Sequence, residues 1–448
     1  MRNLSSHLLV GLLAWTFIDF SSGAETSLDS AIGREMPALV ETYKSLHANP
    51  ELSRQEGKTA AFLAREFRAL GFDVTERVGK WSQPEVQAYG VVALMKNGAG
   101  PTVMVRADMD ALPVLEKTAL PYASRVKTAN ENGEEVSVMH ACGHDTHMTS
   151  LLGTARVLAR NKDRWHGTLM LIAQPAEERY DGAKAMLDDN LYGRFGKPDF
   201  AVALHADAGL EAGKVGLCEG YALANVNSVD VTIRGRGGHG AYPHLTKDPI
   251  VIAAEFVLAL QTIVSRENPP LDPAVVTVGS IHGGSKHNVI PDDVHLQLTT
   301  RSYKEEVRVR LLQSIERIAG GIAAAAGIPP ERAPIIKVSD EFTPATYNNP
   351  EFTRRLSGVL RQALGSENVV QRDPVMGGED FGRFSLPDRS IPISLFWLGA
   401  VDPARMRESR EKNIPLPSLH SSEFAPLPDP TLRTGVTALT SIVLELMK

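Results

Sequence analysis

Two kinds of apolar pattern alternate along the first half of the chain. PALVETYKSLHANPELS and GKTAAFLAREFRALGF carry apolar residues at helical spacing, and Gly71 ends the second segment. PTVMVRADMD, GTLMLIAQP and DFAVALHAD are instead continuous apolar runs of strand length. Between them, THMTSLLGTARVLARN has helical spacing again. Strands that are apolar throughout and separated by helices predict an α/β fold with a mostly parallel sheet buried on both faces.

The pattern changes near Ala224. SVDVTIRGRG alternates as a strand, a helix and two successive strands follow, and a second helix precedes a last strand at APIIKVSD. The order β-α-β-β-α-β is typical of a split-βαβ sandwich. The α/β pattern then resumes with NPEFTRRLSGVLRQALG and a helix after Pro430. We therefore predict a main domain in two parts, 25–223 and 341–448, interrupted by an inserted satellite at 224–340.

Length and composition limit the functional classes. A chain of 448 residues is long enough for two domains, and a hydrophobic share of 43% is that of a soluble globular protein. The formal net charge of -6 argues against nucleic-acid binding, because no basic surplus is present to neutralise phosphates. No run of Lys and Arg suggests attachment to anionic lipid either.

The first 24 residues resemble a signal peptide. Arg2 supplies positive charge, Leu8–Ile18 forms an apolar core, and Ser22 and Ala24 suit a cleavage site. Eleven apolar residues are too few to span a bilayer. A buried N-terminal helix is the alternative, but Asp19 and the polar stretch after it favour export. The sequence predicts a periplasmic or secreted protein without a membrane span.

The chain contains only two cysteines, Cys142 and Cys218. Cys142 lies among histidines, whereas Cys218 lies in the apolar-flanked VGLCEGYAL. An exported protein could join them in a disulfide. We favour a metal ligand and an ordinary buried thiol over such a bridge.

Residues with ligand-type side chains follow the apolar runs. Asp108 and Asp110 come after TVMVR, the pair Glu177–Glu178 after LMLIAQPA, and His205 after FAVAL. Taken singly, each is explained by a solvated loop carboxylate or a hydrogen-bonded histidine. Sites in open α/β sheets lie outside the carboxyl ends of the strands. Three runs that end in such residues therefore predict one shared site.

The run HACGHDTH, residues 140–147, is the richest in ligands. Gly143 lets the loop bend so that Cys142 and His144 face one point, and Asp145 suits the cap of a following helix. The helix N-terminus would then favour the thiolate. Thiolate and imidazole suit zinc or a neighbouring transition metal. A Cys–His nucleophile pair is the alternative, but such a site has little use for the other ligands. Of the two outer histidines, His140 is expected to support a ligand and His147 to pack in the helix.

Glu177 and Glu178 are adjacent, and adjacent residues of an extended segment point in opposite directions. One carboxylate can therefore bind metal while its neighbour acts as a general base on water. Two surface glutamates are the alternative, which the preceding buried strand disfavours.

Eight motifs occur in a fixed order along the chain: RADMDALP, MHACGHDTH, QPAEE, LHA, GRGGHGAYPH, HNVIPDD, MGGEDFGRFS and HSSEF. Together they resemble the M20 metallopeptidase family, in the branch of aminoacylases, hippurate hydrolases and indoleacetyl-amino-acid hydrolases. The resemblance covers nearly everything after the predicted signal peptide. It implies a zinc-peptidase-like catalytic domain with a βαββαβ satellite, and cleavage of N-acyl amino acids at a two-metal centre.

The resemblance also implies roles for single residues. Glu177 would be the general base and Asp110 a carboxylate that orients a ligand. In the satellite, His239 would polarise the scissile carbonyl, in many relatives from the partner subunit. Asn288 and Arg301 would hold the substrate carboxylate; a surface strand arginine is the less favoured alternative for Arg301. The implied metal ligands are Cys142, His144, Glu178, His205 and His420.

Two small departures from the pattern are Gly240, where relatives usually carry Ala, and Thr146, where Gly or Ala is common. They are expected to alter loop stiffness more than chemistry. MGGEDFGRFS lacks the lysine of a phosphate loop and is expected to form a wall of the active site.

The resemblance implies two divalent ions per chain, zinc first, with manganese, cobalt or nickel as alternatives. It also implies a homodimer through the satellite. The expected substrate is an N-acyl amino acid whose acyl group lies among apolar residues. A dipeptidase or carboxypeptidase acting on short peptides is the second interpretation. The third is a non-catalytic metal-binding or scaffold protein on the same fold.

Overall fold

The computed structural model describes residues 27–339 and 342–448 of the chain. The predicted signal peptide, residues 1–24, lies outside the described residues. The helices are α1 Leu28–Ala48, α2 Gly57–Ala69, α3 His144–Arg160, α4 Gly182–Asp188, α5 Leu191–Phe195, α6 Pro249–Thr262, α7 Glu305–Ala325, α8 Pro350–Leu364, α9 Pro403–Lys412 and α10 Pro428–Leu446.

Strands of two sheets and three short pairs lie between these helices. They are β1 Asp73–Val78, β2 Gly90–Asn97, β3 Thr102–Asp108, β4 Lys127–Ala129, β5 Glu135–Ser137, β6 Gly167–Gln174, β7 Phe200–Glu211, β8 Val215–Leu217, β9 Gly220–Leu223, β10 Asn225–Arg234, β11 Gly238–His239, β12 Ala274–Gly283, β13 Val289–Ile290, β14 Asp293–Ser302, β15 Ile335–Val338, β16 Thr346–Asn348, β17 Val369–Gln371 and β18 Ile393–Val401.

The main sheet has eight strands in the order β1-β2-β6-β3-β7-β18-β8-β17. Its centre, β6-β3-β7-β18, is parallel, whereas β1, β2 and β8 add antiparallel pairs. Alternate residues of one strand face opposite cores: Val103 and Val105 of β3 belong to one cluster, and Met104 belongs to the other. Burial on both faces explains why the central strands are apolar throughout. The predicted mostly parallel α/β fold is confirmed.

The first helix is longer than the sequence pattern predicts. It begins at Leu28, and Pro37 lies inside it rather than at its start. The Ser27 hydroxyl caps the helix by accepting from the backbone N–H of Ser30 at 3.2 Å. The helix packs on α3 and α10 through Ile32 and Leu39, both fully buried. This contact fixes α1 behind the loop that precedes α3.

The satellite has a sheet of its own, in the order β12-β14-β10-β15 and antiparallel throughout. Helices α6 and α7 cover one face and enclose a separate core that includes Phe256, Leu296 and Leu311. The elements follow the predicted order, β-α-β-β-α-β. Four strands and two helices lie between β10 and β15, and the central sheet is completed only later in the chain, by β18.

By length and composition alone, one helical stretch among residues 27–339 and 342–448 could cross a membrane. It is Pro249–Glu267, with a mean hydropathy of 1.5, and 33% of it is buried. Ile252, Phe256 and Leu260 pack it into the satellite core. A core helix passes the same test of length and composition, so the finding does not by itself indicate a span.

Candidate metal-binding active site

The predicted ligands meet at the carboxyl end of the parallel strands. Asp108 is the last residue of β3, Glu177 follows β6, and His205 lies within β7. Two loops complete the site, one before α3 with Cys142 and one before α10 with His420. The strand order brings β6, β3 and β7 side by side, which is why residues far apart in sequence share one site.

Gly143 shapes the loop before α3. It caps the helix in the left-handed region, with φ 82°, and a Cβ there would lie 2.9 Å from the Cβ of Ala206. The expectation that Asp145 caps the helix is wrong. Asp145 lies in the first turn instead and bonds to the buried His47, Oδ2 to Nδ1, at 2.7 Å. Asp145 is thus held by an ion pair, and Gly143 makes the turn.

The five predicted metal ligands form one compact cluster. Cys142 Sγ lies 3.6 Å from His205 Nε2 and 3.3 Å from His420 Nε2. Overlapping triads with ligand atoms within 4.8 Å of one another are Cys142–His144–His205, Cys142–Glu178–His420 and His144–Glu177–Glu178. Such overlap offers more than one position for a cation, with Glu177 beside them.

The histidines of this cluster are oriented by backbone carbonyls. His144 Nδ1 lies 2.8 Å from the Asp110 carbonyl, and His205 Nδ1 lies 2.8 Å from that of Ala206. Donation from Nδ1 leaves the Nε2 lone pair of each ring for a cation. In the described part of the chain, His144 Nε2 and Glu178 Oε1 are buried without a hydrogen-bond partner. Buried lone-pair atoms without a hydrogen-bond partner, such as these two, fit a metal site.

His147 does not offer a ligand atom to the same cations. Its Nδ1 bonds to Asp108 Oδ1 at 2.6 Å, and its Nε2 accepts the Ala206 N–H at 2.8 Å. Both ring nitrogens are therefore used. His140 is also buried, and burial lowers its pKa to about 4, so it is neutral. These outer histidines pack around the ligands.

Asp110 holds the backbone of the Glu177–Glu178 pair. Its carboxylate accepts the N–H of Glu177 at 3.1 Å and the N–H of Glu178 at 2.9 Å. The Ser53 hydroxyl donates to the same carboxylate at 2.6 Å. The Asp110 carbonyl also orients His144. The role implied for Asp110 was to orient a ligand, and the geometry extends it to the turn that carries Glu177.

The turn that carries Glu177 and Glu178 is strained and held from outside. Ala176 and Tyr180, on either side, lie in the left-handed region with φ of 50° and 60°. The buried Glu56 accepts the N–H of Ala176 at 2.8 Å. Ser53 and Glu56 therefore support this turn from the segment between α1 and α2. The sequence analysis missed both residues, since neither belongs to a ligand motif.

The site concentrates negative charge. Burial, followed by Glu379 and Glu178, raises the pKa of Glu177 well above its usual value. Burial also raises the pKa of Glu178 to about 7, with Asp110 adding to the effect. The Cys142 thiol responds in the same way, because burial and the nearby glutamates raise its pKa. Without a cation, burial and these glutamates disfavour the thiolate expected at the helix N-terminus, whereas a bound cation would stabilise it.

MGGEDFGRFS contributes buried charge rather than a plain wall. Arg106 bonds to Glu379 at 2.8 Å, to Asp380 at 3.1 Å and to Asp108 at 2.6 Å, with every side chain fully buried. Glu379 and Asp380 also lie within 4.8 Å of the Glu177 carboxylate, measured between ligand atoms. The Arg106 guanidinium thus balances acidic groups directly behind the general-base candidate.

The three predicted satellite residues differ in how near they come to this cluster. His239 on β11 is exposed, and its Nδ1 accepts the Ala241 N–H at 3.0 Å. Asn288 is its neighbour, since the Asn288 carbonyl accepts the Gly240 N–H at 2.9 Å. Arg301 on β14 lies beside the Tyr180 phenol and 3.5 Å from the Met376 carbonyl. None of the described contacts of His239 or Asn288 is with a metal-ligand candidate, so their roles stay predictions.

Cys142 and Cys218 are both buried and both free. Cys218 Sγ contacts the Tyr221 carbonyl at 3.4 Å, away from the metal-ligand cluster. The choice of a ligand and an ordinary buried thiol over a disulfide agrees with this arrangement.

Relatives of known family share the chain's length and fold. The chain is 35% identical to thermostable carboxypeptidase 2 of Saccharolobus solfataricus over 402 residues, 89% of this chain and 93% of that protein. It is 38% identical to the hippurate hydrolase of Campylobacter jejuni over 342 residues, which cover 76% and 82% of the two chains. A crystal structure of a dinuclear metal-binding M20 peptidase from Bacillus subtilis superposes with a TM-score of 0.71 at 26% identity, covering 93% and 99%.

The model of peptidase family M20/M25/M40 matches residues 104–421. That range begins inside β3, includes the whole satellite and ends one residue after His420. It therefore contains every metal-ligand candidate of the cluster. The chain belongs to the M20/M25/M40 peptidase family and is an amide-bond hydrolase.

Proposed function

We propose that this protein hydrolyses the amide bond between an acyl group and an amino acid whose carboxylate is free. The observation that carries the proposal is the cluster of Cys142, His144, Glu178, His205 and His420 with Glu177 beside it. A protein that only binds metal needs no buried carboxylate next to its ligands. This argues against the non-catalytic alternative.

The donor set fits two divalent cations. A thiol, three imidazoles and a carboxylate favour zinc, while manganese, cobalt and nickel accept the same ligands. When bound, such ions polarise the scissile carbonyl and make water more acidic. Asp110, through its contacts with His144 and the Glu177–Glu178 turn, keeps the ligands in place.

Glu177 acts as the general base. It accepts a proton from the attacking water and passes the proton to the nitrogen of the leaving amino acid. Its raised pKa suits a group that must both take and return a proton. His239 donates a hydrogen bond to the carbonyl oxygen as negative charge develops there. Arg301 and Asn288 hold the carboxylate of the amino acid.

Glu177→Gln tests the general base. The variant keeps its ligand atoms and should retain metal, while kcat falls by about 10³-fold or more. Glu41→Gln, a change of the same type at an exposed helix position, is the control and should leave kcat unchanged. A Glu177→Gln protein with full activity would exclude this mechanism.

Elemental analysis of unsupplemented protein tests the cofactor. We expect two divalent ions per chain, zinc first, and loss of activity on chelation that returns when metal is added back. Fewer than one ion per chain, with activity intact after chelation, would overturn this part of the proposal.

Substrates with a carboxyl-amidated amino acid test the carboxylate clamp. Amidation removes the charge that Arg301 would bind, so kcat/KM should fall by about 10²-fold relative to the free acid. Equal cleavage of both forms would exclude the clamp and leave the metal chemistry standing.

We also propose a homodimer that forms through the satellite. Leu258, Val251 and Ile250 of α6 are 73%, 54% and 45% exposed, and β12 is an edge strand. An apolar helix surface beside an open strand edge supports association of two copies. Light scattering should give twice the chain mass, and Leu258→Glu should give the monomer mass.

Export is proposed from the N-terminal sequence alone. Expression of the full chain with fractionation should place the protein outside the cytoplasm. N-terminal sequencing should then begin near Glu25. A cytoplasmic protein that starts at Met1 would contradict this.

A further inference from the structure

The junction between the satellite and the main domain contains a pocket of 570 Å³. Tyr303 and Glu305 of the satellite line it, together with residues of the main domain that include Tyr347 and Arg389. It is distinct from the 690 Å³ pocket beside Glu178, which belongs to the candidate active site. Pockets of about 300–1,000 Å³ at domain interfaces commonly hold small-molecule ligands. The position and size of this pocket therefore suit a ligand that contacts both domains.

One wall of the pocket is aromatic. Tyr221 stacks on Tyr303, with ring centroids 5.6 Å apart, and meets Tyr347 edge to face at 4.9 Å. Tyr347 is 45% exposed, so part of its ring is free to pack on a ligand. The buried side chains of Ile391 and Ile393 add apolar contacts. Such a wall suits a planar aromatic group, which can stack on a tyrosine ring or meet its edge.

The pocket also offers one guanidinium to an anion. Arg389 is exposed, and it forms no ion pair among the described residues. Burial raises the pKa of Tyr221, and the positive charge of Arg389 acts against this rise, so the guanidinium lies near the aromatic wall. Glu305 is the one acidic residue of the lining, and Arg308 already neutralises it, with Nε 2.8 Å from a carboxylate oxygen. The pocket therefore favours a carboxylate over a cation.

Both sides of the pocket lie close in the chain to groups of the proposed reaction. On the satellite side, Tyr303 follows Arg301 by two residues. On the main-domain side, Thr346 of β16 donates its hydroxyl to the Glu379 carbonyl at 3.1 Å. The carboxylates of Glu379 and Glu177 in turn lie within 4.8 Å of each other. A ligand in the pocket is thus connected to the active site through both domains.

The described arrangement of the domains fixes the direction of the effect. In this arrangement the pocket is formed, whereas none of the described contacts of His239 is with a metal-ligand candidate. A ligand that contacts both domains stabilises the arrangement to which it binds. The role proposed for His239 requires it to reach the scissile carbonyl. The same ligand would therefore oppose that step.

We propose that this pocket binds an aromatic carboxylate, and that the bound ligand slows hydrolysis by holding the satellite in the described position. The binding site is independent of the function proposed above, whereas the slowing rests on it. The carboxylate of the ligand bonds to Arg389, and its ring packs on Tyr347.

Binding is tested with 2-naphthoate and the metal-loaded enzyme by titration calorimetry. Arg389→Ala should weaken binding by about tenfold, because a charge-assisted hydrogen bond is lost. Tyr347→Ala should weaken it by about fivefold through the loss of the aromatic contact. Both side chains are exposed, so these variants should fold. Arg125→Ala, which removes an exposed arginine outside the pocket, is the control and should bind like the wild type.

Two analogues separate the two parts of the ligand. Equal binding of 2-naphthamide would refute the carboxylate, and equal binding of decahydro-2-naphthoate would refute the aromatic group. A probe molecule bound at the metal centre would keep its affinity in Arg389→Ala and Tyr347→Ala. If neither variant weakens any binding event, the probe lies elsewhere and the proposal is overturned.

Hydrolysis of benzoyl-leucine tests the effect on the reaction. At a concentration that fills the wild-type pocket, 2-naphthoate should lower kcat by about threefold or more, and by clearly less in Arg389→Ala. A probe molecule at the metal centre would instead compete with the substrate and raise KM. An unchanged wild-type kcat would refute the slowing. Absence of hydrolysis without the probe would refute the proposed function and leave the binding result standing.

Discussion

The metal-ligand cluster and the satellite pair His239–Asn288 are built in opposite ways. In the cluster, His144 and His205 are buried and each ring is fixed by a backbone carbonyl. His239 is exposed, and its described contacts are within its own loop. Preorganised groups lose little entropy when they act, whereas mobile ones must be brought into place. The cluster is therefore already in place within the main domain, whereas the described contacts bring neither His239 nor Asn288 to it.

The largest effect should come from breaking the cluster itself. Cys142→Ala removes the thiol shared by two of the ligand triads, so metal content should drop and kcat/KM should fall by about 10³-fold. Metal analysis and kinetics on the same preparation would show it.

Cys218→Ala is the matched control, since Cys218 is the other buried free thiol. It should keep full metal content, and its activity should stay within about twofold of the wild type. A metal-replete, active Cys142→Ala protein would mean that the cluster is not the metal site.

A smaller effect is expected from the satellite. His239→Ala should keep its metal and its melting temperature but lose about 10²-fold in kcat, because one hydrogen-bond donor to the carbonyl oxygen is lost. Substitution of an exposed side chain should not disturb either core.

Mixed dimers sharpen the comparison. A His239→Ala chain and a Glu177→Gln chain each lack one part of the site. If His239 acts across the interface, mixing them should restore about a quarter of wild-type activity, since half the dimers are mixed and each has one intact site. No recovery in verified mixed dimers would place His239 in the site of its own chain.

A third prediction concerns the support of the Glu177–Glu178 turn. Ser53→Ala removes the hydroxyl that donates to Asp110 and should lower kcat by about tenfold, with metal content unchanged. Ser53→Thr keeps the hydroxyl and should restore most of the activity. If Ser53→Ala matches the wild type in kcat and pH profile, Asp110 needs no such support.

Substitution of His47 is expected to have the smallest effect on turnover. Its main effect is expected on the free energy of unfolding. Burial lowers the pKa of His47, but hydrogen bonds to Asp145 and Glu116 outweigh this and raise it to about 10. Because the pKa of His47 is higher in the folded than in the unfolded protein, protonation of His47 stabilises the fold. This stabilisation is complete below the unfolded pKa of about 6.5 and is lost as the pH rises towards 10. His47→Gln should therefore be less stable at pH 7 by about 3 kcal/mol.

Calorimetry from pH 7 to pH 10 checks the sign. The difference in melting temperature between wild type and His47→Gln should narrow as pH rises. A gap that widens towards pH 10 would mean that His47 is neutral in the folded protein.

The strand-end rule located the site from the sequence, although it reached only Glu178 and His205 of the five predicted ligands. Asp108, Glu177 and His205 each follow or end an apolar run, and parallel strands bring such ends together. The same rule did not identify β18. ISLFWLGAV is as apolar as the predicted strands. The sequence analysis nevertheless predicted only two helices in this part of the chain, one before this segment and one after it. As a result, the strand that neighbours β7 was missing from the predicted fold.

Other features of the site depend on tertiary contact and leave no local pattern. Ser53 and Glu56 support Asp110 and Ala176 from more than fifty residues away. Asp145 was expected to cap α3 because aspartate is a common capping residue. Its carboxylate instead bonds to the buried His47, which lies far away in the sequence. The pocket beside Glu178 could not be predicted either, since its lining comes from five separate segments of the chain.

The position of β18 also governs the order in which the chain can be assembled. About 180 residues separate the end of β7 from the start of β18, its parallel neighbour in the sheet. At a synthesis rate of about 5–20 residues per second, the edge of β7 stays without its β18 partner for roughly 10–40 s. During that time the satellite, whose strands are all consecutive with its helices, can fold by itself. His420 follows β18 in the chain, so the last of the five predicted ligands is made only after the strand that covers this edge.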